Sequence, residues 1–567
     1  MKEEVIKILQ AALKKEKISL GEEEIERFIE IPPSPDMGDY AFPCFSLVGK
    51  MNEEPRQIAI LLREHMGSVK GFEDIQTVGP YINFFVNRKV LATNLIKKIL
   101  TEKNKFGKQK IGEKNKTLIE FSQPNTHKAF HVGHIRGTSL GESLARILEF
   151  CGEKVTRVNY MGDTGMHIAK WLWCYKKYHS KEKLKKDEQW IASIYVDAVK
   201  RLSAHKTLRA EVDEINRKLA TGEDIHLNSL WKKTRMISLD AFKNIYKQLN
   251  TDFDAYFFES EVEKRGKEIV DDLLKRKIAK VSDEAVIINL KKYNLGVWVL
   301  LRKDGTVLYS TKDLALAELK FKRYKLDRNI YVIGAAQTLH MNQLFKTLSL
   351  MKFAEAPKNE LLTFSEVRLP HGKMSSRTGE NILYSDFLKE ITDYSKKEIK
   401  TRFPSLKKDE LEERALKISI AAMKYSMLKQ NSNKNIIFNK TEALNFEGDS
   451  GPYILYSYAR ASSILKKVAR RKIKSKYKIY KLEQKEIALI KKLSQFPEIV
   501  LSAYNNMNST LLANYSYQLA QTFNEFYHSL QVLKSKQESF RISLVEAFKY
   551  VLNNSLNLLG IETLDEM

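Results

Sequence analysis

The sequence predicts a multidomain α/β protein, with a parallel sheet in a central domain, an α+β domain before it and an all-α helical bundle after it. Three observations lead to this prediction. Strands and helices alternate from Thr117, the first 112 residues combine a helical pattern with a strand-like run, and the pattern after residue 385 is almost wholly helical. The length of 567 residues exceeds one ordinary hydrophobic core, which favours roughly two to four domains.

The expected N-terminal domain covers residues 1–112. Apolar residues such as Leu9 and Leu13 recur there at helical spacing, and YINFFV, from Tyr81 to Val86, follows a Gly-Pro pair and is typical of a strand. The polar run from Lys103 to Lys116 is expected to be a linker.

The expected central domain covers residues 113–385 and starts with a βαβ unit. LIEF, from Leu118 to Phe121, predicts a buried strand, apolar residues from Leu140 to Cys151 recur at helical spacing, and Lys154 to Tyr160 predicts the next strand. Such a unit implies a parallel sheet with a ligand crevice at its strand ends. A charged insertion at about 166–290 interrupts the pattern.

The strand and helix pattern resumes after the insertion. WVLLRKDGTVLYSTKDLALAELK and RNIYVIGAAQTLHMNQLF each begin as a strand and continue as a helix, and Asp304-Gly305 predicts a hairpin turn in the first run. We expect a helical connecting region at 386–444 and a helical bundle at 445–567, which is rich in Tyr, Phe, Leu and Lys.

The charge balance predicts a polyanionic partner. The chain has 96 Lys and Arg against 70 Asp and Glu, a formal net charge of +26 that is spread along its length. Basic surface gains affinity for nucleic acid because binding releases counterions from the phosphate backbone. A lysine-rich proteome would produce the same excess, so charge alone leaves both explanations open.

Cysteine usage and hydropathy favour a cytoplasmic protein. The three cysteines, Cys44, Cys151 and Cys174, lie far apart without a CxxC pair, which favours a reduced compartment and argues against a thiolate zinc site. No stretch approaches the roughly 18 apolar residues of a membrane span, and the first residues lack the apolar core of a signal peptide.

The motif HVGH, from His131 to His134, stands where a loop passes into a long helical pattern. A helix N-terminus presents unpaired N–H groups and a positive dipole end to an anion. Gly133 allows a ligand close to the backbone, and both histidines can face the crevice as donors. His127 could add a third metal ligand, but Asn125 and Thr126 after a proline predict a loop, so we expect no metal here. Helix capping or core packing is the alternative for the pair.

A second motif, HGKMSSRTGE from His371 to Glu380, places Lys373 among small polar residues. Such a loop can close on phosphates, although alone it is equally typical of a solvated turn. HVGH followed by KMSSR in one α/β domain resembles the HIGH and KMSKS signatures of class I aminoacyl-tRNA synthetases. The resemblance implies a class I Rossmann-like catalytic domain that binds ATP.

Longer stretches resemble the arginyl-tRNA synthetase family. They include IEFSQPNTHKAFHVGHIRGTSLGESLARILEFCG, VNYMGDTG, DGTVLYSTKDLALAELK and GDSGPYILYSYARASSIL, and near the N-terminus GDYAFPCFSL and GPYINFF. The resemblance covers nearly the whole chain and is weakest after Gly165. It implies ligation of arginine to tRNA(Arg) with ATP and Mg²⁺, an N-terminal domain against the tRNA elbow, a DALR-type anticodon-binding bundle, and a monomer.

The resemblance also implies an arginine site. The guanidinium is planar, always charged and has five N–H donors, so its recognition needs carboxylates placed for that fork. Without the resemblance, Asp313 would be assigned to a helix start, where an acid is stabilising, and Tyr309 to the core. Glu120 in an apolar strand would need a partner because an unpaired buried carboxylate is costly. The implied contacts are Glu120 and Asp313 to the guanidinium, Tyr309 and Gln337 beside them, and Asn125 to the amino-acid backbone.

For ATP, the resemblance implies residues of both motifs. Attack of the arginine carboxylate on the α-phosphate needs no general base, so catalysis depends on alignment and charge stabilisation. The expected catalytic residues are His131, His134, Lys128 and Lys373, with Mg²⁺ on the pyrophosphate oxygens. The implied ATP-binding residues are His131, Gly133, His134, Lys373, Met374, Ser375 and Ser376.

Three positions depart from the family pattern. Gln123 stands where many members have a small residue, which leaves the contact to the α-amino group open. Ser376 and Arg377 replace the second lysine and the last serine of the KMSKS signature, so the phosphate contact of this loop can differ in detail.

In the C-terminal bundle, Tyr453, Tyr456 and Tyr527 are candidates for stacking on anticodon bases. Packing in the bundle core is the alternative for each of them. The run from Lys466 to Lys481 could follow the phosphate backbone or be merely solvated.

Three rival functions share some of these sequence features. A nucleotidylyltransferase with the HxGH motif would be shorter and would lack the arginine-site set. A cysteinyl enzyme would need metal ligands for a thiol, which the scattered cysteines do not offer, so no zinc is expected. A catalytically inactive paralogue that binds tRNA is the main alternative, and the intact HVGH, KMSSR, Glu120 and Asp313 set argues against it.

Overall fold

The computed structural model describes residues 2–34, 37–67, 69, 71–303, 305, 307–368, 383–469 and 479–567. The chain divides into two compact units. The smaller comprises Met1–Lys103, Lys472–Ser494 and Glu525–Ala547, and the larger comprises Asn104–Arg471, Gln495–Asn524 and Phe548–Met567. None of the helices within these ranges combines the length and the hydropathy of a membrane span.

The smaller unit contains the α+β fold expected at the N-terminus. Its first elements are α1 (Lys2–Lys15), α2 (Glu22–Phe28), β1 (Tyr40–Pro43), α3 (Val48–Met51), α4 (Pro55–Glu64), β2 (Phe72–Val78), β3 (Tyr81–Val86) and α5 (Arg88–Glu102). The three strands form an antiparallel sheet in the order β1-β3-β2. Leu9 and Leu13 of α1 share one buried core with Phe42 and Phe84 of the sheet, as their spacing predicts.

The first part of the larger unit alternates strands and helices. Its elements are β4 (Lys116–Glu120), α6 (Val132–Phe150), β5 (Lys154–Met161), α7 (Met166–Tyr178), α8 (Glu188–Ala204), α9 (Arg209–Thr221), α10 (Ile225–Gln248), β6 (Ala255–Phe258), α11 (Glu259–Lys275), β7 (Lys280–Ser282), β8 (Ala285–Asn289), β9 (Val297–Leu301), α12 (Tyr309–Tyr324), β10 (Arg328–Gly334), α13 (Thr338–Leu350), β11 (Asn359–Phe364) and β12 (Val367–Arg368).

The described residues from 383 onward are helical apart from one short strand. Its elements are α14 (Tyr384–Arg402), α15 (Lys408–Leu428), β13 (Ile436–Ile437), α16 (Lys440–Ala443), α17 (Gly451–Ala469), α18 (Gln484–Ser494), α19 (Phe496–Asn505), α20 (Thr510–Ser529) and α21 (Glu538–Leu558).

A five-stranded parallel sheet lies at the centre of the larger unit. The strand order is β11-β10-β4-β5-β6, and each of the four neighbouring pairs is parallel. β5 and β6 lie on one side of β4, whereas β10 and β11 lie on its other side. The strand order therefore reverses between β4 and β10. Crevices of parallel α/β sheets open at such a reversal, outside the carboxyl ends of the strands.

The stretch 166–290, expected to interrupt the sheet, contains one of its strands. β6 pairs with β5 through Ala255 to Phe258, and four residues are too few to show a strand pattern beside long charged helices. The helices before β6 bury a core of their own around Trp171, Trp190 and Ile194.

A second, antiparallel sheet has the order β7-β8-β9. Leu301 at the end of β9 forms an antiparallel bridge with Val307, and Gly305 between them has a φ of 75°. This agrees with the predicted hairpin turn, although Asp304 itself lies outside the described residues.

The run from Lys103 to Lys116 is not the free linker that its polarity predicts. Phe106 is 1% exposed and stacks on Phe496, with ring centroids 6.2 Å apart. The backbone N–H of Gln109 donates to the carbonyl of Phe150, and that of Gly112 to the carbonyl of Cys151. A single aromatic residue and backbone bonds therefore dock a segment whose charged side chains point to solvent.

Helix α6 is held at its middle by the end of α21. Ser143 donates to the carbonyl of Leu558 at 2.8 Å, and the guanidinium of Arg146 donates to the side-chain oxygen of Asn557 at 2.6 Å. The buried ammonium of Lys424 donates to the carbonyl of Gly560 at 2.8 Å. The bond from Ser143 satisfies a carbonyl that the end of α21 leaves without an internal partner.

Glu188 of α8 is hydrogen-bonded to the segment that precedes α6. Its buried carboxylate accepts from the backbone N–H of Phe130 at 3.1 Å and from the hydroxyl of Ser385 at 2.7 Å. Burial raises the pKa of Glu188 to about 7, while these two hydrogen bonds oppose the increase. The carboxyl therefore links the residue before His131 to the start of α14.

The raised pKa of Glu188 predicts a pH-dependent stability. Between about pH 4.5 and pH 7 the unfolded chain releases a proton that the folded chain keeps, so the free energy of unfolding falls as pH rises through this window. Glu188→Gln removes this contribution. Urea unfolding at pH 5 and pH 7.5 should show wild type losing stability relative to the variant as pH rises. Equal changes in the two proteins would contradict the assignment.

Candidate active site

A cleft of about 930 Å³ opens at the carboxyl ends of β4, β5 and β10, where the strand order reverses. Residues just after each strand line it, including Ser122, Gly162 and Ala335. The lining also brings together eight side chains or backbone positions selected from the sequence, namely Glu120, Asn125, His131, Gly133, His134, Tyr309, Asp313 and Gln337.

Other selected residues do not line this cleft or are not described. The ammonium of Lys128 lies 5.6 Å from the ring centroid of Tyr195, away from the lining. Burial and the neighbouring Lys170 lower the pKa of Lys128. The second motif lies outside the described residues, and with it Lys373, Met374, Ser375, Ser376 and Arg377.

The loop between β4 and α6 has a strained backbone. Ser122, Gln123 and His127 have φ of 77°, 50° and 62°, in the left-handed region that side chains other than glycine seldom adopt. Gly162 faces Asn125 so closely that a Cβ there would lie 2.2 Å from the amide oxygen. Strain of this kind persists only where the surroundings hold it, and it concentrates at functional sites.

The two histidines of HVGH are stacked at the start of α6. Their ring centroids lie 3.9 Å apart, and the backbone N–H of His131 donates to Nδ1 of His134 at 3.1 Å. His134 thus caps the helix, which agrees with the helix-capping alternative considered for this pair. Because its Nδ1 accepts a hydrogen bond, the proton of the neutral ring is on Nε2, which leaves that N–H as a donor.

Both rings are neutral near pH 7. Burial and the charge of Lys128 lower the pKa of His131 to about 4, and burial beside His131 lowers the pKa of His134 well below its ordinary value. Nδ1 of His131 is buried and has no hydrogen-bond partner among the described residues. Gly133 leaves room for this ring, since a Cβ at Gly133 would lie 3.0 Å from it.

His127 has a structural role and does not extend the pair. It is fully buried, its Nε2 lies 2.8 Å from the hydroxyl of Thr234, and its Nδ1 lies 3.1 Å from that of Thr126. Burial lowers its pKa to about 3. With both nitrogens bonded to hydroxyls, it offers no free nitrogen to a metal held by His131 and His134.

Glu120 has the partner that a buried carboxylate requires. It is 3% exposed, and its carboxylate forms an ion pair with the fully buried Lys320 of α12. Its other oxygen accepts from the amide of Gln123 at 2.8 Å. Lys320 lies on the face of α12 that carries Asp313, seven residues earlier, and this spacing is the signal that could have revealed it.

Asp313 does not cap α12, which begins four residues earlier at Tyr309. Its carboxylate lies 2.7 Å from Nε2 of His340 on α13, and Nδ1 of His340 accepts from the indole N–H of Trp298 at 3.2 Å. The ring of Tyr309, which is 59% exposed, lies 4.6 Å from that of His340, so Tyr309 is not a core residue. His340 follows Gln337 by three positions, on the same side of the helix start.

Tyr160 is a further cleft residue that sequence reasoning missed. Its hydroxyl is buried and has no hydrogen-bond partner in the described part of the chain. Burial, together with the nearby carboxylates of Asp313, Glu259 and Glu120, raises its pKa well above the ordinary value. The signal available was its place at the end of β5, where a parallel strand delivers its last side chains to the crevice.

Potential metal ligands of the described residues converge at Cys174, His179 and Asp197, apart from the cleft. The carboxylate of Asp197 accepts from Arg201 at 2.7 Å and from the thiol of Cys174 at 3.4 Å, and it lies 3.1 Å from His179. Burial raises the pKa of Cys174 to about 12. The ligand atoms are therefore already engaged with one another and with a guanidinium.

The three selected tyrosines of the C-terminal region are partly exposed. Tyr453 packs against Tyr517 with ring centroids 5.5 Å apart, and the guanidinium of Arg460 lies 4.8 Å from the ring centroid of Tyr456. Tyr527 is 37% exposed and belongs to the smaller unit.

Comparisons with known proteins cover nearly the whole chain. The family model for the class I tRNA synthetase (R) catalytic domain matches residues 95–440, the DALR anticodon binding domain matches 454–567, and the arginyl tRNA synthetase N terminal domain matches 3–86. The arginine–tRNA ligase of Clostridium perfringens is 37% identical over 558 residues, 98% of each chain. That of Clostridium acetobutylicum is 36% identical over 555 residues, 97% of this chain and 98% of the relative.

Solved structures agree with these matches. The arginyl-tRNA synthetase of Thermus thermophilus aligns over 100% of both chains with a TM-score of 0.77 at 25% identity. That of Plasmodium falciparum aligns over 100% of this chain and 99% of its own, with a TM-score of 0.74 at 22% identity, which supports the fold alone. Because the catalytic model spans more than half of the chain and the relatives match nearly all of it, this protein belongs to the arginyl-tRNA synthetase family.

Proposed function

We propose that this protein ligates L-arginine to the 3′-terminal ribose of tRNA(Arg), through an arginyl-adenylate made from ATP, for protein synthesis. The observation that carries the proposal is a single cleft whose walls include both Asp313 and the HVGH helix start. One wall suits a cationic amino acid, and the other suits a phosphate. Adenylate formation requires these two groups side by side.

The arginine side chain would bind at Asp313 and Glu120. No lysine or arginine in the described part of the chain forms an ion pair with Asp313, so the guanidinium of the substrate could do so. Glu120 already pairs with Lys320, and it would act mainly as a hydrogen-bond acceptor. Tyr309 and Gln337 would contact the guanidinium from the side, as the resemblance implies.

The amino-acid backbone of arginine would bind at Asn125. This residue lines the cleft next to Gly162, on the strained loop after β4. Gln123 donates to Glu120, so in this chain its side chain supports the guanidinium wall rather than the α-amino group.

The ATP phosphates would bind at the start of α6. Nε2–H of His134 is available as a donor, Nδ1 of His131 has no partner among the described residues, and the helix N-terminus favours negative charge. Neutral imidazoles stabilise developing charge by donating hydrogen bonds rather than by ion pairing. Lys128, which does not line the cleft, would add positive charge behind the two histidines. From the undescribed loop, Lys373, Met374, Ser375 and Ser376 would complete the ATP site.

Mg²⁺ would enter as part of the nucleotide substrate. The described residues at the α6 end of the cleft are imidazoles, whereas Mg²⁺ prefers oxygen ligands and is commonly bound through substrate phosphates. The chain's own residues would therefore orient the phosphates around the ion.

The tRNA would contact three regions. We propose residues 1–112 for the tRNA elbow, 113–385 for catalysis, 386–444 as a helical connection and 445–567 for the anticodon. The partly exposed rings of Tyr453, Tyr456 and Tyr527 could stack on unpaired bases. A monomer acting in the cytoplasm fits this proposal. No observation favours a catalytically inactive paralogue.

The first test is arginine-dependent exchange of pyrophosphate into ATP. We expect exchange with arginine but not with lysine or cysteine, and only when tRNA(Arg) is present, as the family resemblance implies. A folded protein that binds tRNA yet shows no exchange under either condition would refute the proposal and restore the inactive paralogue.

His134→Asn tests the phosphate wall. The amide oxygen of asparagine can replace Nδ1 as acceptor from the backbone N–H of His131, whereas the Nε2–H donor is lost. Exchange turnover should fall roughly hundred- to thousandfold, as for loss of one oxyanion donor, with little change in KM for arginine. Unchanged turnover would remove His134 from the mechanism.

Tyr160→Phe tests the unpartnered hydroxyl in the cleft. Loss of one buried hydrogen bond should raise KM for arginine roughly two- to tenfold, with KM for ATP little changed. Tyr293→Phe, away from the cleft lining, is the matched control. Identical kinetics for the two variants would show that the Tyr160 hydroxyl does not contact arginine.

A further inference from the structure

A chain of two hydrogen bonds runs from the core to the arginine wall of the cleft. The indole of Trp298 on β9 lies 3.2 Å from Nδ1 of His340, and Nε2 of His340 lies 2.7 Å from a carboxylate oxygen of Asp313. Trp298 is 4% exposed, so the first link is inside the protein.

These bonds determine the charge of His340. An indole N–H can only donate, so Nδ1 of His340 must accept and carries no proton. The carboxylate of Asp313 accepts, so Nε2 carries the proton. The ring that faces Asp313 is therefore a neutral donor.

Asp313 has a neutral hydrogen-bond donor as its partner, whereas every other described acid of the cleft pairs with a charged side chain. The carboxylate of Glu120 pairs with Lys320, that of Glu259 lies 2.8 Å from the ammonium of Lys312, and that of Glu366 lies 3.4 Å from Arg368. Those three carboxylates each form an ion pair with a lysine or an arginine. Among these four acids Asp313 alone has no lysine or arginine as an ion-pair partner; its hydrogen-bond partner is His340, and the charge of Lys320 acts on it only from a greater distance.

We propose that His340 is a positioning and specificity-determining residue, which orients Asp313 while leaving its negative charge free for a cationic side chain. A lysine or arginine at this position would orient the carboxylate equally well, but it would neutralise the charge that must attract the substrate. The inference rests on the proposed function and goes beyond it, because it assigns substrate selection to a residue one step behind the cleft acid.

Two replacements of His340 separate orientation from charge. His340→Gln can place a neutral N–H near the position of Nε2, whereas His340→Lys places a charged donor there. We expect KM for arginine to stay within a few-fold of wild type for H340Q and to rise between about ten- and hundredfold for H340K, since an added charge a few ångströms away weakens cation binding by this order. KM for ATP should stay unchanged in both.

A double-mutant cycle distinguishes the proposed role from a purely structural one, because a structural role predicts no coupling between the effects of the two substitutions on KM for arginine. Asp313→Asn should raise KM for arginine strongly in wild type but add little in the H340K background, because the charge is already neutralised there. Equal effects of H340Q and H340K, or full additivity of H340K with D313N, would overturn the proposal. His340→Arg replaces H340K if that variant does not fold, as judged by circular dichroism.

The wild-type exchange assay separates this proposal from the function on which it rests. Absence of arginine-dependent exchange in wild type would refute the function itself. Normal exchange in wild type, combined with equal KM for arginine in H340Q and H340K, would refute only the role of His340.

Discussion

Negative charge buried around the cleft is the constraint on which much of the surrounding structure depends. An ionised carboxylate removed from water is costly unless it is paired and hydrogen-bonded. The partners come from several elements, and α12 supplies both Lys312 and Lys320. Because α12 also carries Tyr309 and Asp313, the helix that neutralises Glu120 and Glu259 also builds one wall of the site.

The sequence predicts the parts of the fold that depend on local pattern. The βαβ unit from β4 to β5 and the helical C-terminal region follow from periodicity, which needs only neighbouring residues. β6 and the docked segment around Phe106 escaped prediction for a common reason. Each is positioned by partners distant in sequence, and neither is long enough to show a period of its own.

The candidate site likewise contains some residues that can be selected from the sequence and others that cannot. Glu120, His131, His134 and Asp313 could be selected because they stand in recognisable stretches, and all four line one cleft. Their partners could not be read in the same way. The spacing from Asp313 indicates only the helix face on which Lys320 lies. Its partner Glu120 stands 200 positions earlier, and the pair forms only when α12 packs beside β4. Candidate functional residues at strand ends can be recognised from the local sequence. Ion pairs between elements that are distant in sequence can be recognised only in the folded structure.

The burial of the HVGH histidines has a physiological consequence. Histidine usually changes charge near neutral pH, but the pKa of His131 lies at about 4 and that of His134 well below its ordinary value. In the ligand-free protein, these two rings therefore stay uncharged in both mildly acidic and mildly alkaline surroundings. If these two side chains bind the nucleotide as proposed, a fall in intracellular pH would leave their charge unchanged, and a pH dependence of binding would have to come from other groups.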